Sequence, residues 1–163
     1  MKKEYYFLIG GLILLIYLFK KPISKSIKYM TRGYKNNNFG NIVKTFSKGV
    51  QTFWEGEIIG NDERFKTFKN PAFGYRAIFV LLDSYLSKGR NTIEKIISVY
   101  APSNENNTNG YINTVSKITN LQSDEAITKN DFIKLVKAIS FVENGIKPNE
   151  SDVLEGFKLY NNV

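Results

Sequence analysis

Cysteine and histidine are both absent from this 163-residue chain. Without Cys there are no disulfides, no zinc–thiolate sites and no thiol nucleophile. Without His the commonest general base, the commonest metal ligand and the Ser-His-Asp triad are all excluded. Acid–base chemistry therefore has to come from Asp, Glu, Lys or Tyr. Neither a metal nor an organic cofactor is expected. A third scarcity is charge imbalance in the body of the chain. The net charge is +8, but residues 1–35 hold eight Lys/Arg against the single acid Glu4. The remaining 15 Lys/Arg and 14 Asp/Glu leave residues 36–163 close to neutral. Basicity confined to one end does not read as a nucleic-acid surface, and no nucleic-acid partner is expected.

What is present at that end is an apolar stretch. Tyr5 to Phe19 is uncharged and bounded by Lys3-Glu4 and Lys20-Lys21. As a helix, about fifteen residues reach roughly 22 Å, short of a hydrocarbon core of about 30 Å. Snorkelling lysines and the interfacial Tyr5, Tyr6 and Tyr17 can close that gap. Met1-Lys2-Lys3 also suits a signal peptide, but no small-x-small cleavage site follows before Pro22. The reading is a transmembrane anchor over 1–22, followed by a basic juxtamembrane linker over 23–35. The linker's cations favour a lipid bilayer with anionic headgroups, by about 1 kcal/mol per charge at the surface.

The rest, 36–163, has the patterning of a small domain. Between Ile42 and Phe68, β-branched and aromatic residues alternate with polar ones around Gly49, Gly56 and Gly60, which suggests one or two hairpins. Asn70-Pro71 starts a helix whose apolar face runs from Ala77 to Leu86, and Asn91-Thr92 starts a second that Ala101-Pro102 ends. Thr108 can cap a third, with Tyr111, Ile112, Val115 and Ile118 on one side. A fourth opens at Asn130 or Asp131 and stops at Asn144-Gly145, and a last covers about Glu150–Tyr160. The expected fold class is mainly α with a small β-hairpin element.

With His and Cys missing, carboxylates carry the search for chemistry. Glycoside cleavage suits such a chain, because it needs a carboxylic acid in a pocket that raises its pKa. Glu143 ends an apolar helix, in Ala138-Ile139-Ser140-Phe141-Val142-Glu143-Asn144-Gly145. Apolar neighbours penalise its ionisation, as a general acid requires, and an acid at a helix C-terminus is not what stability alone selects. Glu105, in the amide-rich run Ser103-Asn104-Glu105-Asn106-Asn107, is a second acid or a saccharide ligand, or else part of a loop that caps the next helix. Trp54, the only Trp in the chain, is placed beside Gly56 to stack on a sugar face or to pack a strand. Glu55 and Glu57 read most simply as solvated. Asn36, Asn37, Asn38 and Asn41 can donate amides to a glycan or satisfy their own backbone through Asx turns.

The run Arg32-Gly33-Tyr34-Lys35-Asn36-Asn37-Asn38-Phe39-Gly40-Asn41-Ile42 resembles the RG-x-R-NNN-P-G-N-I opening of phage virion proteins that degrade peptidoglycan. Further matches follow in order: Trp54-x-Gly56, Asp62-x-x-Phe65-x-x-Phe68, Gly74-x-Arg76-Ala77, Asn91-Thr92-Ile93, Ala101–Tyr111 and Glu143-Asn144-Gly145. The last is similar to the E-S-G helix end of lytic transglycosylases, with Asn144 in place of Ser. The resemblance implies a lysozyme-like α+β domain in circularly permuted order, since the Glu helix follows the Asn-rich loop. It implies a lytic transglycosylase or lysozyme-type glycosidase in a membrane-containing virion. Glu143 would be the proton donor and Glu105 the second carboxylate, and Asn36, Asn37, Asn38, Asn41, Trp54 and Tyr111 would line a glycan groove. The partners implied are a peptidoglycan strand, the bilayer and capsid proteins. The location implied is the virion's internal membrane, reached through the host inner membrane. The rival expectation is a non-catalytic virion protein that tethers the capsid to that membrane.

Overall fold

The computed structural model describes residues 31–104 and 107–162. A compact unit begins at Arg32. Arg32–Lys35, read from the sequence as the end of a linker, form its first helix, α1. Two antiparallel hairpins follow. The first joins β1 (Thr45–Ser47) to β2 (Val50–Thr52), with Thr45 opposite Thr52 and Ser47 opposite Val50. Lys48 and Gly49 between them both have positive φ, as a two-residue turn matched to strand twist requires. The second pairs β3 (Glu57–Ile58) with β4 (Thr67–Phe68), and a single bridge between Val43 and Phe65 lies beside it.

Five helices complete the domain. They are α2 (Pro71–Ser87), α3 (Ile93–Tyr100), α4 (Thr108–Thr119), α5 (Phe132–Asn144) and α6 (Glu150–Asn161). Local chemistry sets their ends. Asn70 accepts from the Phe73 N–H with Pro71 at the first helical position, and Thr92 accepts from the Lys95 N–H. Gly145 closes α5 at φ 65°. Asn107 caps α4 in place of the expected Thr108, whose hydroxyl instead donates to the Ala101 carbonyl. A 3₁₀ turn over Lys129–Asp131, with Thr128 and Asp131 in a reciprocal capping box, leads into α5.

The core lies around α2, on which Tyr75, Ile78, Phe79 and Leu82 are buried, with Phe132, Leu135, Val136 and Ile139 of α5 and Ile93, Ile96 and Ile97 of α3. Helix α6 lies against α2 at Gly156, where a Cβ would sit 2.7 Å from Tyr75 Cβ and 2.8 Å from the Ala72 carbonyl oxygen. Backbone lines that wall, so relief requires the helices to separate. Gly156→Ala is expected to cost about 1–3 kcal/mol in urea unfolding despite its better helix propensity; a neutral or stabilising result would refute the close crossing.

Two sequence expectations are corrected here. The fold class was to combine a permuted, lysozyme-like domain with a transmembrane helix; the described residues form a mainly helical domain with two small hairpins. None of their helices is long and apolar enough to cross a membrane. The longest, α2, has 17 residues and includes Arg76 and Asp83, and at about 1.5 Å per residue it falls short of a bilayer core. The anchor expected over 1–22 lies outside the described residues. The second correction concerns Glu57, whose side chain is not solvated but 0% exposed, paired at 2.7 Å with the equally buried Lys66 ammonium. Glu57 also accepts from the Trp54 N–H (2.8 Å) and Gln51 Nε2 (2.8 Å), and Lys66 donates further to the Thr52 carbonyl (3.1 Å). Strand alternation turns Glu57 and Phe68, which face each other, to the inner side. Glu55, in the turn that precedes β3, stays largely exposed and pairs with buried Arg76 at 2.5 Å.

Candidate functional site

A cleft of about 560 Å³ runs between the hairpin region and the helices. Val43, Thr45, Trp54, Arg64 and Phe65 form one side, and Leu81, Tyr85, Val99, Tyr100 and Pro102 the other. Gly40, Asn41 and Glu143 also line it. Among the described residues lining the cleft, Glu143 is the only acid.

Helix α5 delivers Glu143 because its apolar face is buried through Ile139 and its last turn ends at the cleft. Both carboxyl oxygens are held. Oε2 accepts from Asn41 Nδ2 at 2.8 Å, and Oε1 from the Tyr111 hydroxyl at 2.9 Å. Burial raises the Glu143 pKa, and the bonds from Asn41 and Tyr111 offset only part of that rise. Burial likewise pushes the Tyr111 phenol far up, reinforced by Tyr100 and by the Glu143 charge. Tyr111 therefore stays a donor at any working pH. Behind it, Tyr100 packs edge-on at 6.2 Å and donates its hydroxyl to the Gly40 carbonyl. The tyrosines thus fix both the carboxylate and the loop that faces it.

The Asn-rich loop divides its labour. Asn38 is fully buried: its Nδ2 donates to the Ile42 and Lys66 carbonyls (both 2.9 Å), and its Oδ1 accepts from the Ile42 N–H. Asn37 donates to the Phe68 carbonyl at 3.0 Å, and Asn36 to Asp62 at 2.8 Å. These three amides tie α1 and the loop to the hairpin region and do not line the cleft. Asn41 does line it. Trp54 is half-buried, with its ring on the cleft and the Lys66 ammonium 5.2 Å from that ring. Of the residues singled out in the sequence, Glu143, Asn41 and Trp54 line this cleft, while Tyr111 is buried and reaches it only through its bond to Glu143. Glu105 lies outside the described residues, three positions after Pro102.

Sequence reasoning missed the joint that holds the loop to the helix end. Asn144 donates to the Phe39 and Ser140 carbonyls (both 2.9 Å). Its Oδ1 rests so near Gly33 that a Cβ there would lie 2.1 Å away. Gly33 and Asn144 stand in the two runs that the resemblance picked out separately, and the fold makes them one contact. Asn in place of Ser beside Glu143 was the available signal. No group of three or more carboxylates suited to a metal ion occurs among the described residues.

Because the Tyr111 hydrogen bond favours the ionised form, Tyr111→Phe should raise the Glu143 pKa further. A ¹³C carboxyl titration would read this, and a midpoint that stays or falls would contradict it. Losing a hydrogen bond to a charged group should also cost about 1.5–3 kcal/mol at neutral pH.

No family model matches the chain. Protein P5 of Pseudoalteromonas phage PM2 is 34% identical over 161 residues, which span 97% of this chain and 97% of that protein. Similarity of that depth along essentially the whole of both sequences marks common descent, and the chain belongs to the family of phage PM2 protein P5.

Proposed function

We propose that this phage protein is a virion component that cleaves the glycan strand of peptidoglycan, with Glu143 as the general acid. The observation that carries the reading is a single carboxyl with a raised pKa, bonded once at each oxygen and facing a cleft of about 560 Å³. Neutral Glu143 gives its proton to the glycosidic oxygen as the C1–O bond breaks, and positive charge develops at C1 and the ring oxygen. The carboxylate left behind accepts from Asn41 and Tyr111. It then takes the proton of the attacking hydroxyl as the new bond to C1 forms. With one acid among the described lining residues, the sugar's own hydroxyl is the favoured nucleophile, which gives an anhydro product as in lytic transglycosylases. Glu105 is the second candidate carboxylate, and through it water would attack and leave a reducing end. Trp54 and Phe65 offer rings to sugar faces. Local opening of the cell wall during genome delivery is the role this chemistry would serve.

A second reading is a non-catalytic structural virion protein that contacts coat proteins. What favours it is the exposed apolar surface of the hairpin region, where Phe46 is 61% and Ile59 87% exposed. One experiment separates the two: full-length protein with purified Gram-negative peptidoglycan, followed by mass analysis of the released muropeptides. Anhydro-muropeptides lost in Glu143→Gln support a single-acid transglycosylase. Hydrated reducing ends lost in both Glu143→Gln and Glu105→Gln support a two-carboxylate hydrolase. No release by folded protein overturns the enzymatic reading in favour of the structural one.

A further inference from the structure

Asn41 is held in a way that a mere cleft wall does not require. Its backbone sits at φ 46°, in the left-handed region that side chains disfavour. Its Nδ2 donates to Glu143 Oε2, while its Oδ1 is sealed from solvent without a partner among the described residues. A buried acceptor left unpaired is rare and calls for an explanation. Turning the amide over would not remove the problem, since one end would still face Glu143 and the other would still be unpaired.

The symmetry of that situation is informative. A carboxylate only accepts hydrogen bonds, whereas the neutral acid carries a donor on one oxygen. A primary amide presents a donor and an acceptor of nearly the same shape, exchanged by a half-turn about χ2. The other polar groups around Glu143 do not compete for Oε2. Tyr111 from α4 holds Oε1 and Tyr100 from α3 donates to Gly40, while Tyr85 from α2 and Arg64 from the β3–β4 connection also line the cleft.

We propose that Asn41 is a positioning residue that follows the Glu143 proton, donating through Nδ2 to Oε2 of the carboxylate and, after a half-turn of its amide, accepting at Oδ1 from Oε2–H of the neutral acid. This rests on Glu143 being the general acid and adds which oxygen holds the proton. Tyr111 keeps Oε1 an acceptor, so Oε2 carries the hydrogen. When the glycosidic oxygen takes that proton, the amide turns back and Nδ2 stabilises the carboxylate just formed. The unpaired Oδ1 is then the acceptor of the other half of the cycle.

The test is nuclear magnetic resonance on the full chain, following the Glu143 carboxyl carbon and the Asn41 side-chain amide protons through a pH titration. Glu143→Gln and Asn41→Ala supply the assignments. Above the Glu143 midpoint, the Asn41 amide protons should show Overhauser contacts to the Glu143 γ protons and the Tyr111 ring. Below it, those contacts should disappear with the same midpoint. Contacts that persist unchanged on both sides overturn the proposal. Asn41→Ala gives a second reading. If the amide serves both forms of the acid, its loss moves the Glu143 midpoint less than Tyr111→Phe does. A shift at least as large as that of Tyr111→Phe means a fixed donor, and the turning amide is wrong. Both readouts are independent of turnover, so an inactive protein would sink the enzymatic reading without deciding this one.

Discussion

Glu143→Gln should lower glycan cleavage by about 10²–10⁴-fold, the usual contribution of a positioned acid, while making the domain more stable at neutral pH. The stability arm follows from linkage. Burial raises the folded-state pKa of Glu143 above its unfolded value, so the folded protein holds the proton more tightly than the unfolded chain. The associated stability is fully present below the unfolded carboxyl pKa, about 4.3, and is lost as pH rises through the raised folded value. Gln is neutral throughout and escapes that loss. Thermal denaturation of both proteins should therefore show nearly equal midpoints at acid pH. The variant should pull ahead as pH climbs through the Glu143 titration, with a constant gap thereafter. The pair of results is diagnostic: a structural carboxylate, replaced by Gln, would lose stability and leave activity alone. Equal activity, or a variant less stable at pH 7, would remove Glu143 from the acid's role.

The wild-type rate should also fall on the alkaline side as the carboxyl loses its proton. Tyr111→Phe should move that limb upward, in step with the carboxyl titration.

Local signals in the sequence were read well, and long-range ones were not. Asn70-Pro71, Thr92 and Asn144-Gly145 announce helix ends through chemistry confined to a few residues, and the structure places ends there. The shift from Thr108 to Asn107 shows the limit, because the Thr108 hydroxyl is taken by Ala101, seven positions back. Glu143 stood out because a carboxylate at the end of an apolar helix is locally unfavourable. Its partners did not, since Asn41 lies 102 residues away and Tyr111 32. Nothing local distinguishes Asn41, which reaches the carboxyl, from Asn38, whose amide is consumed by backbone. Gly33 and Asn144 were visible as motif residues, yet their contact exists only once both ends of the domain are assembled. The same blindness made Glu57 look solvated, since its partner Lys66 lies on the far side of a loop.

That buried pair should carry the largest stability effect in the domain. Removing one member of a buried ion pair typically costs about 3–5 kcal/mol, because the survivor keeps its charge without its counter-charge. The two halves are not equally exposed to that penalty here. Without Lys66, Glu57 still accepts from the Trp54 N–H and Gln51 Nε2. Without Glu57, the Lys66 ammonium keeps, among the described residues, the Thr52 carbonyl and the face of Trp54. Glu57→Leu should therefore cost more than Lys66→Met, and the double variant should cost less than the sum of the two, as replacement of a whole pair by apolar groups allows. Urea unfolding of the four proteins would measure this; additive costs, or single losses under about 1 kcal/mol, would refute it. Against a total of about 5–15 kcal/mol for a typical domain, either single change removes a large share. The effect should also reach the cleft, because Trp54 hangs from the pair by its N–H and lies under the Lys66 cation. In conditions where Lys66→Met is still folded, Trp54 emission should shift to the red, and saccharide affinity should fall with it. Lost affinity with unchanged emission would place the defect elsewhere, and would separate the hairpin side of the cleft from the pair beneath it.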